Sequence, residues 1–136
     1  MKTRLTALCL AGLLWYPTVE AKEMKVKITL DQHVRYATLA DNPSTQSLMK
    51  RLPLSLPLED YADSEKIARL SAKLDTAAKP RHRGRPGDIT YYAPWGNLAL
   101  FYGSGPDAAG LVYLGRFDGD FEVLKQARNI RIERAD

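Results

Sequence analysis

Five basic side chains fall within residues 79–85 (Lys79, Arg81, His82, Arg83, Arg85), and five aromatic ones within residues 91–102 (Tyr91, Tyr92, Trp95, Phe101, Tyr102). The basic group could meet an anion such as phosphate, an acidic polysaccharide or a lipid headgroup. The aromatic group could form a binding face, because a large ring left on a loop calls for a partner more often than one in a core. Each has a plainer reading, as a solvated loop and as packed interior. For Tyr91 and Tyr102 the interior reading is the stronger, whereas Trp95 stands in a turn and is open to both. Asp60 and Glu65 offer acid–base chemistry or, near a basic loop, a surface ion pair. Metal chemistry has little to use: the histidines are His33 and His82, and neither has a carboxylate at a ligand spacing. Ser104 lies between two glycines, but no strand-to-helix elbow follows to make it a nucleophile. The residues therefore predict no catalytic set, no metal and no cofactor.

The chain start predicts a compartment. Lys2 and Arg4 precede an apolar run at residues 5–16, Pro17 breaks it, and Val19 and Ala21 stand at the −3 and −1 positions of a cleavage site. The run is roughly 12 residues, short of the ~20 that span a bilayer. Residues 1–21 thus read as a signal peptide and 22–136 as one mature domain, periplasmic or secreted, with no membrane insertion after cleavage. Removing Lys2, Arg4 and Glu20 from 20 basic and 16 acidic residues leaves a net charge of +3. That excess lacks the strong basic stripe of a nucleic-acid binder. The single cysteine, Cys9, leaves with the signal, so no disulfide is expected.

The elements that must position these side chains are mostly strands. Residues 87–102 are the centre: Ile89 and Tyr91 alternate with Asp88, Thr90 and Tyr92, then Leu98, Leu100 and Tyr102 with Asn97, Ala99 and Phe101. Ala93-Pro94-Trp95-Gly96 reads as the turn of a hairpin. Upstream, Met24, Val26, Ile28 and Leu30 face inward on a first strand, residues 31–33 turn, and 34–39 return. Asn42 caps and Pro43 opens a helix running to about residue 51, with Leu48, Met49 and Leu52 on the face that closes a barrel end. The alternation of Leu54, Leu56 and Leu58 with two prolines fits only an edge strand. Residues 59–70 are ambiguous between a helix capped at Asp63-Ser64 and a strand, and their length favours a strand. Residues 79–87 and 103–107 read as loops, 111–117 as a strand, 120–126 as helical turns capped by Asp118 or Asp120, and 130–133 as the last strand. The count is about eight strands and two short helices, a mostly-β closed barrel.

The run from Gly87 to Phe101 also matches a longer pattern, Gly-Asp-(Ile/Val)-x-Tyr-(Tyr/Trp)-x-Pro-x-Gly-x-(Leu/Ala)-x-(Leu/Ile/Cys)-Phe. By this pattern the chain resembles the cyclophilin-like superfamily, and within it the small bacterial cyclophilin-like domains. The likeness extends through LPLSLPLEDY (52–61), EKIARL (65–70) and LVYLGRFDGDFEVLK (111–125). Leu114-Gly115-Arg116-Phe117 and the helical turn behind it look like the C-terminal strand and helix of the prolyl isomerases. The resemblance implies a cyclophilin-like β-barrel. In catalytic relatives a motif with Arg, Phe, Met and Gln precedes the Gly-Asp pair. Here Ala77, His82, Arg83 and Arg85 stand at those places, and the segment bearing the remaining pocket residues is shortened to 103–110. The expectation is therefore a domain that binds a peptide or small ligand in a groove beside the central hairpin, through Tyr92, Trp95, Asn97 and Phe101, with Arg83 from the basic loop. A peptidyl-prolyl isomerase is the alternative, and an anionic envelope component is a further possible partner.

Overall fold

The computed structural model describes residue 12 and residues 23–135. The leader at 1–21, with Cys9, lies outside the described residues apart from Gly12. Eleven strands and two helical segments follow one another in the rest. Nine strands form one sheet and two form a small ribbon, so the barrel has nine strands where the sequence predicts about eight.

β1 (Met24–Leu30) and β2 (His33–Leu39) form the first hairpin, with Val26 opposite Ala37 and Ile28 opposite Arg35. Val26, Ile28 and Leu30 are buried, as their alternation requires. The turn is one residue tighter than predicted, because His33 already pairs with Leu30. Asp31 turns with φ 55°, and its carboxylate accepts from the backbone N–H groups of Arg128 and Asn129. α1 (Pro43–Met49) starts on a complete capping box: Asn42 accepts from the Thr45 N–H at 2.9 Å, and Thr45 Oγ1 accepts from the Asn42 N–H at 2.9 Å. Its buried Leu48 and Met49 close one end of the barrel.

β3 (Leu54–Pro57) pairs only with β11 (Asn129–Arg134) and is the sheet's edge, which is where strand prolines are tolerated. The opposite edge is β4 (Glu59–Tyr61), which pairs with β5 (Glu65–Arg69) and so resolves residues 59–70 as strand. The chain crosses the seam between the two edges at Leu58, whose N–H donates to the Arg128 carbonyl at 2.8 Å. The sheet is thus a nearly closed barrel, in the order β3-β11-β1-β2-β10-β7-β8-β5-β4.

β7 (Asp88–Tyr92) and β8 (Asn97–Phe101) are the central hairpin. Ile89 pairs with Leu100 and Tyr91 with Leu98 on the inner face, while Thr90 pairs with Ala99 and Tyr92 with Asn97 on the outer. Every residue of β8 is buried, which means both faces of this strand are covered. The inner cover is the barrel core. The outer cover corrects the sequence reading: β6 (Arg81–Arg83), predicted as loop, and β9 (Asp107–Ala109), which starts at the end of the loop predicted over 103–107, pair into the two-stranded ribbon. Ile67, Ala99, Phe101 and Leu111 form a second buried cluster with Tyr92 and Ala108, separate from the barrel core.

β10 (Leu111–Phe117) bridges β2 and β7 with an irregularity between Tyr113 and Gly115. The second helical segment, Glu122–Gln126, is 3-10, and no side chain caps it. Asp118 and Asp120 are engaged elsewhere: Asp118 takes the Thr38 hydroxyl at 2.6 Å, which with the Lys25 ammonium at 3.1 Å holds its carboxyl below the usual range. Asp120 pairs with Arg35 at 3.3 Å.

Candidate ligand pocket

The pocket is made by the outer face of the hairpin. Along β8 the even-numbered Leu98 and Leu100 point into the barrel, so Asn97, Ala99 and Phe101 point out. Antiparallel pairing then brings Tyr92 beside Asn97 and Glu65 beside Phe101 on the same face. The cavity they begin is completed by Leu111 from β10, by Pro106 and Ala108 from the segment that forms β9, and by Tyr61, Ala62 and Ser64 at the β4–β5 turn. It encloses about 300 Å³.

The floor is Phe101, 2% exposed, and it is held from above. A Cβ on Gly84 would stand 2.4 Å from the Phe101 ring and one on Gly105 2.6 Å, so only glycine lets both backbones lie against it. Those backbones are joined by the Gly105 N–H donating to the Gly84 carbonyl at 2.9 Å. At the rim, Trp95 is 52% exposed and meets Tyr61 (centroids 5.5 Å apart, planes at 88°) and Tyr92 (5.3 Å, 82°) edge to face. The turn carrying Ala62 and Ser64 has positive φ at Ala62 (54°) and Asp63 (50°), a conformation that costs a non-glycine residue. It is tied to the hairpin's end by Ser64 O, which accepts from the Tyr102 and Gly103 N–H groups.

Two polar groups in this apolar setting lack protein partners. Asn97 is 1% exposed; its amide donates to the Leu98 carbonyl at 3.1 Å, but its buried Oδ1 accepts from nothing among the described residues. Glu65 is half-buried without an ion pair among the described residues, and burial pushes its carboxyl up to about 7. Its neighbour Lys66 is committed to Asp60 at 3.0 Å, and Asp60 also accepts from the Tyr102 hydroxyl at 3.1 Å. The ion pair expected near Asp60 and Glu65 therefore exists for Asp60 alone, and with Lys66 rather than the basic loop.

Of the five ligand residues predicted, Tyr92, Trp95, Asn97 and Phe101 line this one cavity. Arg83 does not: it lies exposed on β6, opposite Asp107. Tyr91 is fully buried and its hydroxyl accepts from the Leu74 N–H at 3.1 Å. Sequence reasoning missed Tyr61 and Leu111, and it named Glu65 as an acid–base or ion-pair candidate rather than as a ligand residue. The alternation of Glu65 with Ile67 could have signalled Glu65, once β5 was known to pair with β8.

The basic loop is fastened to a buried carboxylate. Asp88, 0% exposed, receives the Arg116 guanidinium, His82 Nε2 at 2.8 Å and the Arg85 N–H at 3.0 Å. Arg116 also donates to the Pro86 carbonyl at 2.9 Å, and Arg81 pairs with Asp107 at 3.0 Å. With the Arg85 guanidinium also 3.7 Å from Asp88, three basic side chains of the loop (Arg81, His82 and Arg85) turn to carboxylates of the domain. No three of His, Cys, Asp and Glu gather as a metal site would need, and no helix is long and apolar enough to cross a membrane, among the described residues.

The fold is thus a nearly closed, mostly-β barrel with a pocket on the outer face of its central hairpin. The chain belongs to the cyclophilin-like family, whose model matches residues 28–133. A hypothetical protein from Archaeoglobus fulgidus, solved in solution, is similar in fold: TM-score 0.65 at 19% identity, over 87% of this chain and 99% of that one. No curated protein matches this sequence.

Proposed function

We propose that the protein is an exported cyclophilin-like domain that binds a peptide or small ligand in the pocket beside β7 and β8. The observation that carries this reading is Asn97 Oδ1. A buried acceptor without a donor is costly, and Asn97 lines an apolar cavity, so a ligand N–H or O–H that reached this covered oxygen would satisfy it. The surrounding chemistry also favours binding over prolyl isomerisation. Such an enzyme lowers a rotation barrier of ~20 kcal/mol by polarising the twisted amide. No arginine is among the residues that line the pocket, and its unpaired polar groups, Asn97 Oδ1 and the Glu65 carboxyl, are an acceptor and an acid. The basic loop, in this reading, holds the ribbon over the hairpin.

A fragment and peptide screen read on the NMR signals of Tyr92, Trp95 and Asn97 tests the site. Hits should move these signals together, and hits that move only other surfaces would overturn the assignment. Proline-peptide isomerisation should stay at background. Export rests on the leader sequence, and intact mass of the natively produced protein should begin at Lys22.

A further inference from the structure

We infer that the pocket selects an organic cation, an alkylated ammonium head group that seats between Trp95, Tyr61 and Tyr92 and faces the Glu65 carboxylate. The inference rests on the ligand-binding reading above and names the ligand's chemistry. Three observations converge on it. The two ring pairs meet at 88° and 82° around Trp95, so the rim is built of aromatic walls at right angles rather than a parallel stack. Walls of that kind offer π faces and edges around one small volume, the setting in which a cation is held by ring quadrupoles. Trp95 and Tyr61 are left 52% and 44% exposed, a large apolar area for a domain with a packed interior beside it.

The second observation is charge. Glu65 is an acidic side chain lining the cavity, with no arginine or lysine beside it in the lining. Lys66 does not serve it, being turned to Asp60. The site therefore holds an acidic group with no countercharge in the lining, and a bound cation would favour its ionised form while an anion would oppose it. The third is the Asn97 amide oxygen, covered by the lining and without a donor among the described residues, whose partial negative charge adds to the field a cation would meet. A cavity of about 300 Å³ fits a head group of a few heavy atoms and excludes a folded partner.

The test compares choline with 3,3-dimethyl-1-butanol, its neutral isostere, and with a peptide bearing trimethyl-lysine, by calorimetry and by the Trp95 indole N–H signal. Choline or the trimethyl-lysine peptide should bind about tenfold more tightly than the neutral alcohol, and the tighter of the two tells whether the head group comes free or on a chain. Glu65→Gln should remove about that factor for the cations and leave the alcohol unchanged. Trp95→Ala, at an exposed position that the fold can spare, should weaken both cations by a similar factor. Equal binding of the alcohol and choline would overturn the cation preference while leaving a ligand pocket. If none of the three probes moves the Trp95 signal and the wider fragment screen also finds no ligand there, the cation proposal and the ligand-binding reading fail together.

Discussion

Glu65 and Phe101 are direct partners across the β5–β8 ladder, so a carboxylate stands beside the ring that floors the pocket. Strand pairing alone produces this. The same register puts Lys66 opposite Leu100 and Ile67 opposite Ala99, and a slip of one residue would exchange the carboxylate for an ammonium.

That placement predicts a pH dependence of stability. Burial lifts the Glu65 carboxyl from 4.5 to about 7. Folding therefore favours the protonated form, and the stability it contributes is complete below about 4.5 and lost as pH rises through about 7. The charged groups nearby are Asp60 on β4, Asp63 in the turn and Lys66 on β5, with Tyr102 at the end of the hairpin. Asp60 is held below its usual range by Lys66, and burial raises Tyr102, so neither moves into the window. With its partial exposure allowed for, the loss should be roughly 1–2 kcal/mol. Denaturant midpoints of wild type should fall between pH 5 and pH 8, and those of Glu65→Gln should lack this fall.

Trp95→Ala should be mild. The side chain is half exposed and its packing is two edge contacts, which are worth ~0.5–1.5 kcal/mol each when well formed. A loss of roughly 1–3 kcal/mol at most, with unchanged denaturant slope, is expected. Phe101→Ala, which empties a buried site, should cost ~3–5 kcal/mol. Equal losses at the two positions would mean that Trp95 is a structural plug.

Asp88→Asn tests what fastens the basic loop. The substitution keeps shape but removes the charge that meets Arg116, His82 and the Arg85 N–H. Hydrogen bonds to a charged group are worth ~1.5–3 kcal/mol, so a loss of about 2–3 kcal/mol is expected. The loop should loosen before the barrel does. Tryptic cleavage within residues 79–85 should appear in the variant under conditions that leave wild type intact.

Much of this architecture was legible because period-2 alternation reports directly on burial. The first strand, the proline-marked edge and the central hairpin all follow it. The ribbon of β6 and β9 was not, since three-residue strands rich in arginine, proline and glycine neighbours carry no periodicity, and their pairing joins residues far apart in sequence. The same limit hid half of the pocket. Tyr92, Trp95, Asn97 and Phe101 lie on one local hairpin and could be read together, whereas Tyr61, Glu65 and Leu111 reach the site only through the pairings of β4, β5 and β10. Arg83 was drawn in by charge, which says nothing about the direction in which a side chain points.

Gly84 gives the sharpest test of how the floor is fixed. Its Cβ, were there one, would overlap the tip of the Phe101 ring at 2.4 Å, while Gly105 presses on the same ring from the other loop. The ring is 2% exposed and packs among Ile67, Ala99 and Leu111, so apart from the pocket side its surroundings are filled. Gly84→Ala must therefore lift the loop or tilt the ring, and overpacking of this kind costs ~1–3 kcal/mol. Phe101→Leu shortens the obstructing group and should cost stability by itself through lost packing. If the clash is the cause, the double variant should be more stable than the sum of the single losses predicts, by at least about 0.5 kcal/mol. Additive losses would show instead that Gly84 is required for the backbone of its own loop, and the clamp on the pocket floor would have to be abandoned.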